Sequence, residues 1–355
     1  DLALLTTDLA QYGKRRSRPS LGPAGAAFGF AIVADGQGDD AYISHETGLG
    51  FAYFGGGAIF DTKGSDRYIG YKNAIGGAYA GFGLVEDGSG DDVYRGFTQV
   101  QGFGGMRGIG ALVDRSGRDQ YIADDATIDF PSSQSPQHNN SFAQGAGLGR
   151  RADYLDGISI NGGVGLLIDL AGNDRYSCGV FGQGVGYWAG VGCLLDHAGD
   201  DTYNGQWYVQ GAAAHHAVGL LCDDAGDDTY TAPMNMAMGA GHDLSVGYLA
   251  DGGGNDRYNG CTLSLGAANA NGIGIFTDAS GDDFYKGAGV CLGQSSEAPA
   301  GTLRERCLSL GVFQDLGGED SYPVTVPFSE NGKRQANWVA RREPSQSQVG
   351  VFLDR

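Results

Sequence analysis

The chain has 355 residues, 65 of them glycine, and a formal net charge of −19. Glycine follows no strict Gly-X-Y period, which excludes collagen, and 41 % apolar residues are enough for a core, which excludes a disordered chain. So acidic a chain repels nucleic acid and anionic membrane surfaces, and no run reaches the ~18 apolar residues of a transmembrane segment.

The chain opens at Asp1 rather than Met, as expected of a processed or trimmed chain; no signal peptide is recognisable in it, and one that existed is expected to have been removed. Residues 1–26 read as an N-terminal cap and linker. Leu2, Leu5 and Leu9 fall on one helical face of Asp1–Gln11. The basic run Lys14-Arg15-Arg16-Ser17-Arg18 then reads as a solvated linker against an acidic body.

Residues 27–322 are repeats. The pattern D-x-x-x-x-D-x-Y, with Gly two places before the second Asp, occurs ten times. Its first Asp runs from Asp35 to Asp315, its second from Asp40 to Asp320, and its Tyr from Tyr42 to Tyr322. Second Asp residues are mostly 26–28 residues apart, with two longer steps of 55 and 37. The step of 55 is expected to hold a degenerate coil, seen in Gln144-Gly145-Ala146-Gly147, with two loops near 125–141 and 150–162, so 122–163 is the irregular stretch. The step of 37 carries one insertion near 295–305. Residues 323–355 are a C-terminal cap or the start of a further coil, since Gly350-Val351-Phe352-Leu353-Asp354 repeats the opening strand.

Each coil reads as strand, turn, strand and a Gly-rich return. The expected fold is all-β: a parallel β-solenoid of about eleven coils of ~27 residues, ~50 Å tall at ~4.8 Å per coil. Two apolar columns, five and two places before the first Asp, face opposite sides of a strand. Either the strand bends, or both faces are covered, the second by a partner, a second layer or another copy of the chain. Glycine four places before the Asp leaves a strip where another backbone can come close. Gln101, Gln144, Gln183 and Gln210 form a column that reads as structural. The six cysteines form no CxxC pair and read as buried small side chains.

The turns carry the first candidate chemistry. Asp251-Gly252-Gly253-Gly254-Asn255-Asp256-Arg257-Tyr258 resembles the RTX calcium-binding nonapeptide, and Gly88-Ser89-Gly90-Asp91-Asp92-Val93-Tyr94 matches it from the second glycine onward. The resemblance covers about eight residues in each 27; it implies Ca²⁺ between stacked turns. Physics points the same way: like charges ~5 Å apart repel by ~3 kcal/mol at an effective dielectric near 20. Calcium held by Asp87, Asp92, Asp196, Asp201, Asp223, Asp228, Asp251, Asp256, Asp278 and Asp283 offsets that repulsion. Turn hydrogen bonds alone, or the neighbouring Arg67, Arg118, Arg175 and Arg257, are the alternatives.

The second candidate lies where the repeat varies, seven to nine places before the first Asp. His215, His216, His242, Asp243, Asn269, Tyr187 and Trp188 stand there on adjacent coils, with Arg107 lower on the same side. His138 on the first loop is expected to fold over them. His215, His242, Asp243 and Arg107 suit acid–base catalysis on a glycan, or a transition metal; Tyr187, Trp188, His216 and Asn269 suit binding of a glycan or protein ligand. Architecture resembles the right-handed parallel β-helix proteins, many of which bind or cleave acidic polysaccharides. Two functions follow as expectations: an exported, extracellular or periplasmic, binding and structural solenoid, or a polysaccharide lyase or hydrolase. A groove walled by the loops near 125–141 and 150–162 is the mark of the second.

Overall fold

A computed structural model describes residues 21–153, 157–296, 301–322, 338–341 and 348–355. The expected helical cap and basic run lie outside these residues. The protein is a parallel β-solenoid of three-sided coils. Its longest sheet has eleven parallel strands, from Phe30–Ala34 to Gln348–Asp354, and Trp338–Arg341 adds one antiparallel strand at the end. Eleven strands make ten complete turns. A single 3₁₀ turn, Leu303–Arg306, is the only helix among the described residues.

Register follows the repeat column for column. Asp169 pairs with Asp196, Asp196 with Asp223, Asp223 with Asp251 and Asp251 with Asp278. The tyrosine sheet has nine strands, from Ala41–Gly48 to Phe284–Lys286, with Tyr over Tyr throughout. The third side is a ladder of two-residue strands such as Gly186–Tyr187 and Gly241–His242.

The 55-residue step is not two coils. Ile109–Asp114 pairs directly with Val164–Asp169, and Tyr121 with Tyr176. It is one coil enlarged by two loops, with Gly147–Leu148 supplying its third side. Gln144 resembles the other column glutamines because it does their work: its amide bonds the carbonyls of Tyr121 and Ser177 at 2.9 Å.

Leu167, Leu194, Leu221 and Leu249, two places before the first Asp, are fully buried. Tyrosine rings stack against them, with centroids 4.7 Å apart for Tyr176, Tyr203 and Tyr230. The outer apolar column is neither bent inward nor covered by any described residue: Ile109, Val164, Val191 and Val218 remain 39–49 % exposed.

Two glycine columns now have causes. Gly226 in the turn has φ +153°, and a Cβ there would sit 1.5 Å from the carbonyl oxygen of Gly199 one coil below. Gly192, four places before its Asp, lies against its own coil's return; a Cβ would sit 2.0 Å from the Val185 carbonyl oxygen. The backbone that comes close is thus the coil's own.

Candidate functional site

Both Asp columns turn inward, at the corner between the long and tyrosine sheets. They are almost fully buried from Asp61 to Asp315. From Asp61 to Asp278 the first Asp is bonded through both oxygens. Tyr176 donates its hydroxyl to Asp196 Oδ2 at 2.6 Å and Tyr203 to Asp223 Oδ2 at 2.7 Å, while Oδ1 of Asp87 accepts the backbone N–H of Ser89 at 3.1 Å. The second Asp is half-bonded. Oδ1 of Asp201 accepts the N–H of Asp174 at 2.5 Å, and Oδ1 of Asp228 that of Asp201 at 2.6 Å. Oδ2 of Asp66, Asp92, Asp119, Asp174, Asp201 and Asp228 is buried without a partner.

The columns converge in nests of three carboxylates, two from one coil and the first Asp of the next. Asp61, Asp66 and Asp87 bring one oxygen each within 4.8 Å of one another, as do Asp87, Asp92 and Asp114, then Asp114, Asp119 and Asp169. Repeat register extends the same triads through Asp196, Asp201, Asp223, Asp228, Asp251, Asp256, Asp278 and Asp283. The expected basic neighbours do not serve here. Arg67, Arg118, Arg175 and Arg257 point outward and are exposed, because they alternate with the inward Asp and Tyr. Arg257 lies over the Phe284 ring instead, and Arg118 faces the exposed Asp91 at 3.7 Å.

Burial therefore pushes these carboxyls up. Asp66 rises to about 6 through desolvation, with Asp61 and Asp87 adding repulsion. Desolvation likewise raises Asp92, Asp174, Asp201 and Asp228, and the nearest aspartates raise them further. A cavity of about 470 Å³, lined by Arg118, Asp119, Asp174, Arg175 and Asp200 among others, opens against the ladder beside the enlarged coil.

The histidine corner is built differently. His242 ends the strand Gly241–His242, His215 follows directly on the neighbouring strand Ala213–Ala214, and their rings meet edge to face at 5.2 Å. His215 Nδ1 bonds Asp243 Oδ2 at 2.7 Å, and His242 Nδ1 faces Asn269 Oδ1 at 2.5 Å. Tyr187 and Trp188 pack on His215, and Trp188 also meets the exposed His216. The sequence-selected cluster is thus brought together, except for Arg107.

Arg107 stands three coils below His215, ~14 Å away. It lines a separate cavity of about 570 Å³ with Tyr53, Phe54, Tyr79, Met106 and Ile160. Arg151 occupies the place foreseen for it. Arg151 Nη1 lies 2.9 Å from His215 Nε2, its guanidinium stacks over Trp188 at 5.1 Å, and Asp153 pairs with its Nε at 2.7 Å. Arg304, from the insertion near 295–305, pairs with Asp243. Asn271 donates to the carbonyls of Arg304 and Cys307 at 2.7 and 2.8 Å. Two loops are therefore bolted to this corner. The loop near 125–141 is not one of them: Asp129 accepts a bond from Tyr71 at 3.0 Å, Phe130 packs on Tyr71, and His138 pairs with Asp125. It covers the tyrosine-sheet side, so the expected groove between the first two loops does not form.

No protein-family model matches this sequence, and neither curated proteins nor solved structures provide a match. The parallel β-solenoid rests on the chain's own register.

Burial, Arg151 and His242 push the His215 imidazole down, against the pull of Asp243. His215 is then neutral, with Nδ1–H donated to Asp243 and Nε2 accepting from Arg151. Burial pushes Asp243 up, but the bonds from His215 and Arg304 outweigh it and hold the carboxyl low. Every charge here has a partner. Arg304 was missed as a member of the corner because it sits in an insertion that breaks the repeat. Arginines in the loops of so acidic a chain were the available signal.

Proposed function

We propose that this protein is an exported β-solenoid of the structural and binding class, whose coils are clamped by Ca²⁺ held in the carboxylate nests. One observation carries the reading: from Asp66 to Asp228 each coil repeats a buried carboxylate with an unpartnered oxygen, and after burial itself the groups that raise these carboxyls are other aspartates. Hard oxygen donors of this kind suit Ca²⁺. Each coil supplies two carboxylates, so one Ca²⁺ per coil balances the ladder, whereas one proton per coil leaves half its charge. Asp87, Asp92 and Asp114 would hold one such ion; Asp196, Asp201 and Asp223 would hold another. Export follows from the same requirement, since the calcium that fills weak extracellular sites is scarce in the cytosol.

The glycan-cleaving alternative draws support from the His215–Asp243 bond alone. It needs Arg151 to leave Nε2 before that nitrogen can take a proton. Glycan or peptide binding at Trp188 and His216 needs no such change.

Thermal melting in calcium and in chelator tests the proposal, together with a metal count on the dialysed protein. Several filled nests should raise Tm by at least ~10 °C, because a ligand bound only to the folded state stabilises it. Identical melts with no bound calcium would leave protons as the neutralising species.

A further inference from the structure

We propose that the outer face of the long sheet is a dimer interface, taken by a second copy of this chain packed sheet on sheet. It stands whether the nests hold calcium or protons.

The eleven parallel strands turn outward the positions five, three and one place before their Asp, each filled by a side chain except Gly56. Through the middle of the sheet these are Ile109, Ala111, Val113; Val164, Leu166, Ile168; Val191, Cys193, Leu195; and Val218, Leu220, Cys222. Among the outward positions of these eleven strands one residue is charged, Glu86, and Arg115 already pairs with it at 2.5 Å. The polar residues Tyr248, Thr277 and Gln314 stand toward one end. A chain of net charge −19 has kept charge off this one surface. The exposure is substantial: Val164 and Val191 are 39 % exposed, Val218 42 %, Ile109 49 %.

Area identifies the occupant. Eleven strands at ~4.8 Å span ~48 Å, and six residues at ~3.3 Å span ~20 Å, so the face offers ~1,000 Å². Monomers seldom expose an apolar patch beyond ~600 Å², and a stable complex needs ~800 Å² from each partner. A second copy meets both conditions and adds no charge to the contact. Its rows of branched side chains have the same ~4.8 Å spacing, so they can interdigitate as the facing sheets of a sandwich do. The patch is self-complementary under a two-fold axis, and such a contact closes at two copies.

Sedimentation velocity on the full chain, in calcium and again in chelator, reads the assembly directly. The expected species has twice the 36.8 kDa of one chain. Val218→Arg combined with Leu220→Arg should weaken the dimer at least ~100-fold, as loss of central contacts does. Thr202→Arg, on the outer side of the tyrosine sheet, should leave it intact. Near-ultraviolet circular dichroism of the stacked tyrosines checks that each variant keeps its coils. A folded wild-type monomer at tens of micromolar would overturn the proposal. So would a dimer indifferent to the double arginine variant, open-ended polymers, or a monomer that floats with phosphatidylcholine vesicles.

Discussion

Two polar clusters lie on different corners of the same coils, and they solve the problem of buried charge in opposite ways. The histidine corner pairs each charge within the chain: Asp243 with His215 and Arg304, Arg151 with Asp153. The carboxylate ladder stacks Asp on Asp with tyrosine hydroxyls between and leaves one oxygen over in each coil from Asp66 to Asp228. A varied corner can recruit partners from insertions. A strictly repeated one cannot, because whatever one coil places there the next coil places there too, and like stacks on like. Repetition is what makes the ladder depend on something outside the chain.

The widest test of that contrast is pH in the presence of chelator. Ladder carboxyls such as Asp92, Asp174 and Asp201 are raised above their ordinary value, first by burial. A raised carboxyl makes the folded state bind protons that the unfolded chain has released. That stability is full below the unfolded pKa and is lost as pH rises through the folded one. Tm in chelator should therefore fall by more than ~10 °C between about pH 5 and pH 9. With saturating calcium the curve should flatten across this window, and calcium binding near pH 7 should release protons, measurable by calorimetry in two buffers. A chelator curve that instead rises with pH would sink the account of the ladder.

A single rung gives a smaller effect whose sign is informative. Asp201→Asn keeps the oxygen that accepts the Asp174 N–H and removes one charge, in imitation of a protonated acid. In chelator at neutral pH it should raise Tm by roughly 1–3 °C; in calcium it should lower Tm and remove at least one ion from the metal count. The same sign in both conditions would mean that Asp201 faces no ion.

The smallest effect belongs to the paired corner. Arg151→Ala removes the partner of His215 Nε2 and one bolt of the loop near 150–162. Global stability should drop by about 1 kcal/mol or less, as for other partly exposed pairs. Proteolysis within 157–162 should quicken. The His215 titration, followed by NMR, should move up, because Arg151 helps to depress it. An unchanged titration would place Arg151 away from His215 in solution.

Much of this was legible in the residues. Ten copies of D-x-x-x-x-D-x-Y state a stacked fold, since aligned columns have nowhere to go but into register. The same copies place His215, His242 and Asp243 on neighbouring coils. Columns do not state which way a side chain points at the turn. Arg175 and Asp174 are adjacent in sequence, yet one faces water and the other the ladder.

The chain's periodicity alone determined the solenoid, its register and the nearness of its Asp columns, because each is a consequence of repeating a local pattern at 4.8 Å intervals. Tertiary structure decided what periodicity is silent about: that the 55-residue step is one coil, that Arg151 rather than Arg107 meets His215 while Arg304 pairs with Asp243, and that no described residue covers the outer valine column. Those outcomes depend on where aperiodic loops fold back and on which side of a strand faces the interior, and contacts between residues distant in sequence settle both.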